Sequence, residues 1–428
     1  MDTAILHPIN TGDTAWVMLS AILVLLMSLP GIGLFYSGMV RRKNVLTTLV
    51  QPFAVCGMIS ILWIFIGYSL TFSKSPDFLS PWIGGLGDIG LSNLLNHFNE
   101  AFTLGAGQAG AIQTQIPESV FVLFQMDFAI IAPALLVGAL AGRARFSALC
   151  VFLILWSLFV YIPVAHWVWA PEGWIAKLGA IDYAGGTVVH VTSGISGLVA
   201  ACLMGPRKGL GKEDFSPWNL SYTLMGAAFL TVGWFGFNAG SALGANGRAG
   251  MAMLATQSAC ASGALIWGIL EWRTVGKPTA LGIVSGALAG LVGITPAAGF
   301  VLPYAAILIG ALTSLVCWWS VTRLKPVLGY DDSLDAFGIH GVGGILGGLL
   351  TGALACGKLT AMPEDPVGIW GSFSLVGKQA IASGAAIIWS VIVTYILYKI
   401  VDFFFKLRID LQDEHLGMDI TQHGERLN

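Results

Sequence analysis

Asp182–His190 reads DYAGGTVVH, and Asp332–His340 reads DSLDAFGIH. In each stretch an Asp precedes a His by eight residues, and the His opens a long apolar, glycine-rich run. VTSGISGLVAACLMG follows His190, and GVGGILGGLLTGALA follows His340. A histidine inside a run of that kind is expensive to place in a bilayer and needs a reason. A single one is readily explained as a packing residue. Two, 150 residues apart in matching contexts, point to two halves of a repeated fold that meet at one site.

The composition around these stretches excludes a soluble protein. Of 428 residues, 56% are hydrophobic and 10% charged, whereas soluble chains carry about 25% charged residues. The 55 glycines fit closely packed membrane helices, because lipid supplies no hydrophobic drive for helices to associate and small residues let them approach. A net charge of −2 gives no reason to expect a nucleic-acid partner. Cys56, Cys150, Cys202, Cys260, Cys317 and Cys356 all fall in apolar runs, which argues against a disulfide framework. The first apolar run lacks a basic leader and is followed by Arg41-Arg42-Lys43, so it is expected to stay in the mature protein.

At about 20 apolar residues per crossing, the chain predicts eleven transmembrane helices. They lie near 13–40, 44–72, 117–141, 146–168, 186–205, 218–242, 250–272, 279–294, 303–322, 335–356 and 379–405. Pro30 and Pro133 fall inside spans, where neighbouring groups must satisfy the freed carbonyls. The eighth run is short and rich in Gly and Ala, and is expected to be buried in protein. Lys74, Lys177, Arg248, Lys358 and Lys378 fall on one side of the spans, and the remainder of the 21 lysines and arginines on the other. The positive-inside rule then sets the N-terminus outside and the C-terminus in the cytoplasm.

Five spans end with the one containing His190, and five more with the one containing His340. An odd number of spans inverts the second half relative to the first, which places a site near the midplane. The expected fold is therefore an all-α integral membrane protein, an inverted 5+5 repeat plus one outer helix. The membrane unit is 1–405, with 1–205 as first repeat, 218–356 as second and 379–405 as helix eleven. Residues 406–428 are expected to form a cytoplasmic tail too short for a domain.

PGIGLFYSGMVRRKN, RFSA, YIPVAHWVW, GAIDYAGGTVVH, GWFGFNAGSA, GLVGITPAAG, DDSLDAFGIHGVGGI and LGMDITQHGE follow one another along the chain. With these motifs the sequence resembles the ammonium transporter (Amt/Mep/Rhesus) family, in its bacterial branch, over essentially its whole length. The resemblance implies ammonium or ammonia transport across the inner (cytoplasmic) membrane, not an enzyme, and no cofactor or metal. It also implies a homotrimer with one pore per subunit. Phe124, Trp169 and Ser241 match the external recruitment site, where rings offer cation–π contacts worth about 0.5–2 kcal/mol and the hydroxyl an acceptor. Phe128 and Phe237 match a stacked gate, and Trp234 a pore-lining residue. His190 and His340 match a twin-histidine pore whose shared hydrogen bond fixes the ring tautomers. Asp182, just before GGTVV, is expected to cap a helix start and to favour a cation at the pore mouth.

Ammonium escapes the cost of an apolar pore by giving up its proton, which potassium and sodium cannot do. Asp127 falls about ten residues into span three and is expected to face the bundle and be hydrogen-bonded. The tail is expected to pack on the cytoplasmic face of the trimer. A PII-type regulatory protein is a possible partner for the basic loops there. One departure stands in the loop before RFSA, where the family commonly has Ala-Glu-Arg and this chain has Ala141-Gly142-Arg143. Two other readings compete: a bis-histidine haem electron carrier, and an ammonium sensor.

Overall fold

The structure, a computed structural model, describes residues 8–108, 110–360 and 372–427. Residues 1–7, 109 and 361–371 of the expected membrane unit and Asn428 of the expected tail lie outside the described residues. Among the described residues, ten helices are long and apolar enough to cross a membrane. They are α1 Thr11–Met39, α2 Arg42–Phe72, α3 Glu118–Leu140, α4 Phe146–Leu178 and α5 Gly186–Met204, then α6 Leu220–Gly240 and α7 Gly247–Val275. After a shorter apolar helix, α8 Ala280–Ile294, come α9 Pro303–Leu328, α10 Phe337–Leu354 and α11 Phe373–Phe405. Two one-turn helices, α12 Leu411–Leu416 and α13 Met418–His423, form the tail. The helices alternate between an N-terminal face, where α1 begins, and a C-terminal face, where the tail lies.

Helix ends differ from the sequence expectation where a cap extends them. α11 begins six residues early because the Ser372 hydroxyl accepts from the Leu375 N–H. Asn246 caps α7 through the N–H groups of Arg248 and Ala249, and Gly276, in the left-handed region, ends that helix. Pro30 sits in a π-helical turn, Met27–Gly31, that absorbs its missing donor. Pro133 is carried inside α3 without such a turn. The loop after α2 adds one antiparallel pair, β1 Thr103–Leu104 with β2 Ile112–Gln113.

α3 is the most enclosed of the long helices. Its residues from Asp127 to Leu140 are all buried. The second half of α8, Leu288–Ile294, is likewise fully buried, as its Gly/Ala composition predicts. Large apolar side chains such as Ile22, Ile61, Phe65, Leu265 and Ile388 stand exposed around the outside, the pattern of a surface that meets lipid or another subunit.

α5 and α10 are built alike. Each opens with a π-helical turn holding its histidine, Gly186–Val191 and Phe337–Gly341. Each is preceded by a capping Asp. Asp332 accepts from the N–H groups of Ala336 and Phe337 at 3.1 and 2.7 Å. The helices enter from opposite faces and cross where glycine lets backbones touch. A Cβ at Gly194 would lie 2.1 Å from the Gly341 nitrogen, and one at Gly344 would lie 2.8 Å from the Gly186 oxygen. This crossing brings the two histidines together.

Candidate functional site

A cavity of about 580 Å³ opens on the N-terminal face, lined among others by Phe72, Gln125, Phe128, Trp169, Asp182 and Ser241. Trp169 closes the continuous part of α4, which breaks there and resumes at Trp174. Its indole N–H donates to the Asp182 carbonyl at 2.9 Å, which fixes the ring at the cavity wall. The Ser241 hydroxyl donates to the Phe237 carbonyl at 2.9 Å, leaving its oxygen lone pairs to accept from a guest.

Phe124 does not line this cavity; Phe128 takes its expected place. Phe124 is fully buried and fills the notch beside Gly240, where a Cβ would come 2.8 Å from its ring. From there it stands edge-on to Phe128 at 5.0 Å and 72°. Trp169 meets Phe128 edge-on as well, at 5.6 Å and 89°. Phe128 and Phe237 are stacked at 4.3 Å and 21°, so the Phe128 ring that lines the cavity is backed by Phe237.

Asp182 points away from the cavity centre and into the start of α5. Its two oxygens accept from Gly185, Gly186, Thr187 and Val188 N–H at 2.7–3.1 Å. Burial pushes this carboxyl above its ordinary value, and those four donors pull it back. A carboxylate so engaged is a cap whose charge acts through the helix it holds.

Beneath the stacked rings lie the histidines. His190 and His340 are parallel within 27°, with centroids 5.2 Å apart and Nδ1 atoms at 3.3 Å. Trp234 stacks on His190 at 5.5 Å and 28°, held by its indole N–H donating to Thr295 Oγ1 at 2.9 Å. Thr295 lies in GLVGITPAAG, and nothing in its spacing announces this partner. His190 Nε2 is buried with no hydrogen-bond partner among the described residues. Two small cavities continue the track past His340, about 20 Å³ and about 60 Å³, with Ile131, Leu230 and Leu288 among their apolar walls. No group of three or more metal-ligating side chains occurs among the described residues.

Asp127 faces the bundle as expected, at 1% exposure. The expected hydrogen bonding fails for Oδ2, which has no partner among the described residues. On the C-terminal face, Gly142 adopts φ +83°, a turn that glycine enters freely. That turn delivers Arg143 into the protein, where it donates to Ser333 Oγ and the Asp331 carbonyl, both at 2.5 Å. Asp331 also takes Arg207 through Nε and Nη2 at 3.0 and 2.7 Å.

The tail packs on the same face. Asp419 accepts from the Leu46 and Thr47 N–H groups at 3.1 and 2.8 Å, and Glu414 from the Lys208 N–H at 2.5 Å.

The profile of the Ammonium Transporter Family matches residues 15–427. The chain belongs to the ammonium transporter family. It is 46% identical over 416 residues to the ammonium transporter of Bacillus subtilis, covering 97% of this chain and 98% of that protein. The structure of Mep2 from Saccharomyces cerevisiae superimposes with a TM-score of 0.84 at 37% identity, over 95% of this chain and 89% of that one. A sensor Amt protein superimposes with a TM-score of 0.85 at 27% identity, over 96% of this chain and 98% of that one. This ammonium transporter family member is accordingly a multi-pass membrane transporter and not an enzyme.

Proposed function

We propose that the chain carries ammonium inward across the cytoplasmic membrane, capturing the ion in the 580 Å³ vestibule and passing neutral ammonia along the histidine-lined track. The single observation that carries this is the hydrogen-bonded pair His190–His340 with apolar walls around it, directly below the stacked Phe128 and Phe237. In this reading the vestibule faces outside and the tail the cytoplasm, with the lysine and arginine distribution in support.

Ammonium in the vestibule meets the faces of Trp169 and Phe128 and the lone pairs of Ser241. Those contacts favour a cation by cation–π attraction and hydrogen bonding. Below the gate the walls no longer repay a cation's lost hydration. Ammonium leaves its proton with water above the gate and crosses as ammonia, whose hydrogen-bonding surface is then the imidazole pair. Potassium has no proton to leave and stays out. The gate rings must swing apart for each passage, since they are in van der Waals contact at rest.

The proposal includes a homotrimer with one pore per subunit, carried by the motif resemblance. It also includes a PII-type regulator at the C-terminal face, where tail and basic loops meet. A sensing role draws on the likeness to the sensor Amt protein, and flux separates the two readings. Proteoliposomes with an internal pH dye should alkalinise on an inward ammonium gradient well above protein-free vesicles. An equal potassium gradient should give no potassium entry. Ammonium entry no faster than in protein-free vesicles would leave the sensing role standing instead.

A further inference from the structure

His166 lies one turn before Trp169 on α4, buried to 2% exposure and outside the histidine pair. Its Nδ1 is 2.7 Å from the carbonyl oxygen of Thr71, in the last turn of α2. Its Nε2 is 2.7 Å from the carbonyl oxygen of Ser80, in the loop that follows. A carbonyl oxygen only accepts, whereas a neutral imidazole has one N–H and one bare nitrogen. A neutral ring would satisfy one carbonyl and press a lone pair against the other. Only the imidazolium donates to both.

We propose that His166 is held as an imidazolium at neutral pH and is a positioning residue for the vestibule. Thr71 precedes Phe72, which lines the cavity, and Trp169 lines it from the other side. One ring therefore sets the register between two vestibule walls. The Ser80 bond adds the loop, which α4 also holds through the Trp167 indole N–H on the Trp82 carbonyl at 2.8 Å. The Trp174 N–H on the Pro81 carbonyl at 3.1 Å holds it again.

The charged groups around the ring are few, so the assignment rests on the two carbonyl acceptors. Lys74 and Glu172 line the small pocket beside it, and Glu172 is ion-paired with Lys177 of the resumed turn of α4. In the loop, Asp77 is turned to solvent and Asp88 accepts from Ser73. α2 offers Tyr68, whose hydroxyl is donated to Glu118, and α5 offers His190, engaged with His340. As pH rises and the ring loses its proton, one of the two ties is lost and the walls loosen. Ammonium capture should then weaken.

That last step rests on the vestibule reading above; the protonation state does not. Full-length protein in lipid, with ¹⁵N-labelled histidine and ¹³C-labelled serine and threonine carbonyls, gives the direct test without any variant. Among the seven histidines, the one in contact with the Thr71 and Ser80 carbons should show two protonated ring nitrogens at pH 7. One bare and one protonated nitrogen would overturn the proposal. The half-saturation for ammonium ion, corrected for free ammonia, should weaken about 2- to 10-fold as this ring titrates, the loss of one hydrogen bond. His166→Gln should be weak and flat across that range. A wild-type half-saturation that ignores the titration would remove the positioning role while leaving capture by Trp169 intact.

Discussion

The Nδ1 atoms of His190 and His340 lie 3.3 Å apart although 150 residues separate them in the chain. One Nδ1–H donates to the other's lone pair, so each ring fixes the other's tautomer. Two capping aspartates and two glycine contacts hold the helices that deliver them. The pair is thus preformed, and in the proposed route a substrate would not pay to assemble it.

Trp169→Leu removes one cation–π partner and the indole tie to Asp182, while the histidine track stays in place. Half-saturation for ammonium uptake should rise about 2- to 30-fold, the range set by a contact of about 0.5–2 kcal/mol. Maximal uptake at high substrate should fall less. Unchanged uptake at micromolar ammonium would mean the ion is captured elsewhere.

Asp127→Asn tests whether a buried carboxylate with an unpartnered oxygen does anything for transport. Removing a group that is costly to bury should leave the melting temperature at or above that of the wild type. Ammonium flux and potassium exclusion should both persist. Potassium leak in this variant would give Asp127 a selectivity role that its position off the track does not suggest.

Burial works to raise the Asp331 carboxyl, but the hydrogen bonds and charge of Arg207 and the charge of Arg143 outweigh it and hold the carboxyl below its ordinary value. A depressed carboxyl stabilises the fold above its unfolded value, about 3.9, and loses that contribution as pH falls through the folded value. Asp331→Asn should therefore destabilise by roughly 3 kcal/mol at pH 7. Its deficit in melting temperature against the wild type should shrink only below about pH 4. A deficit that shrinks between pH 7 and 5 would contradict this.

The tail is anchored through Asp419 at the start of α2. Asp419→Ala should loosen it by about 0.5–2 kcal/mol, the worth of a cap, read as faster proteolysis between 406 and 428. Deleting 410–428 should lower transport without unfolding the membrane helices. Full activity after deletion would mean the anchoring is idle.

Much of this was legible in the residues. The doubled Asp-to-His spacing pointed to the meeting of the two histidines, and Asp182 before GGTVV read as a cap; the cap by Asp332 and the π-helical turns that hold both histidines did not show in the residues. Spacing alone could not tell which ring of the pair Phe124 and Phe128 would face the vestibule. The notch beside Gly240, more than 110 positions away, decides that by drawing Phe124 inward. The partner of Trp234 was hidden for a similar reason, since one threonine in a glycine-rich run resembles any other. Backbone partners leave no trace at all in composition. Asp419 reads as a surface charge until it is seen on the amides of Leu46 and Thr47. His166 reads as one more intramembrane histidine until both of its carbonyl acceptors are located.

The central claim is that potassium is rejected because the histidine track passes only a neutral species. Potassium flux into liposomes carrying His340→Glu tests it most directly. A fixed carboxylate offsets the desolvation cost of a passing cation, so this protein should still pass substrate and should also admit potassium. His340→Leu should do the reverse, slowing transport while keeping potassium out. If His340→Glu stays tight to potassium, selectivity resides above, at Trp169 and the stacked Phe128 and Phe237, and the histidines only conduct.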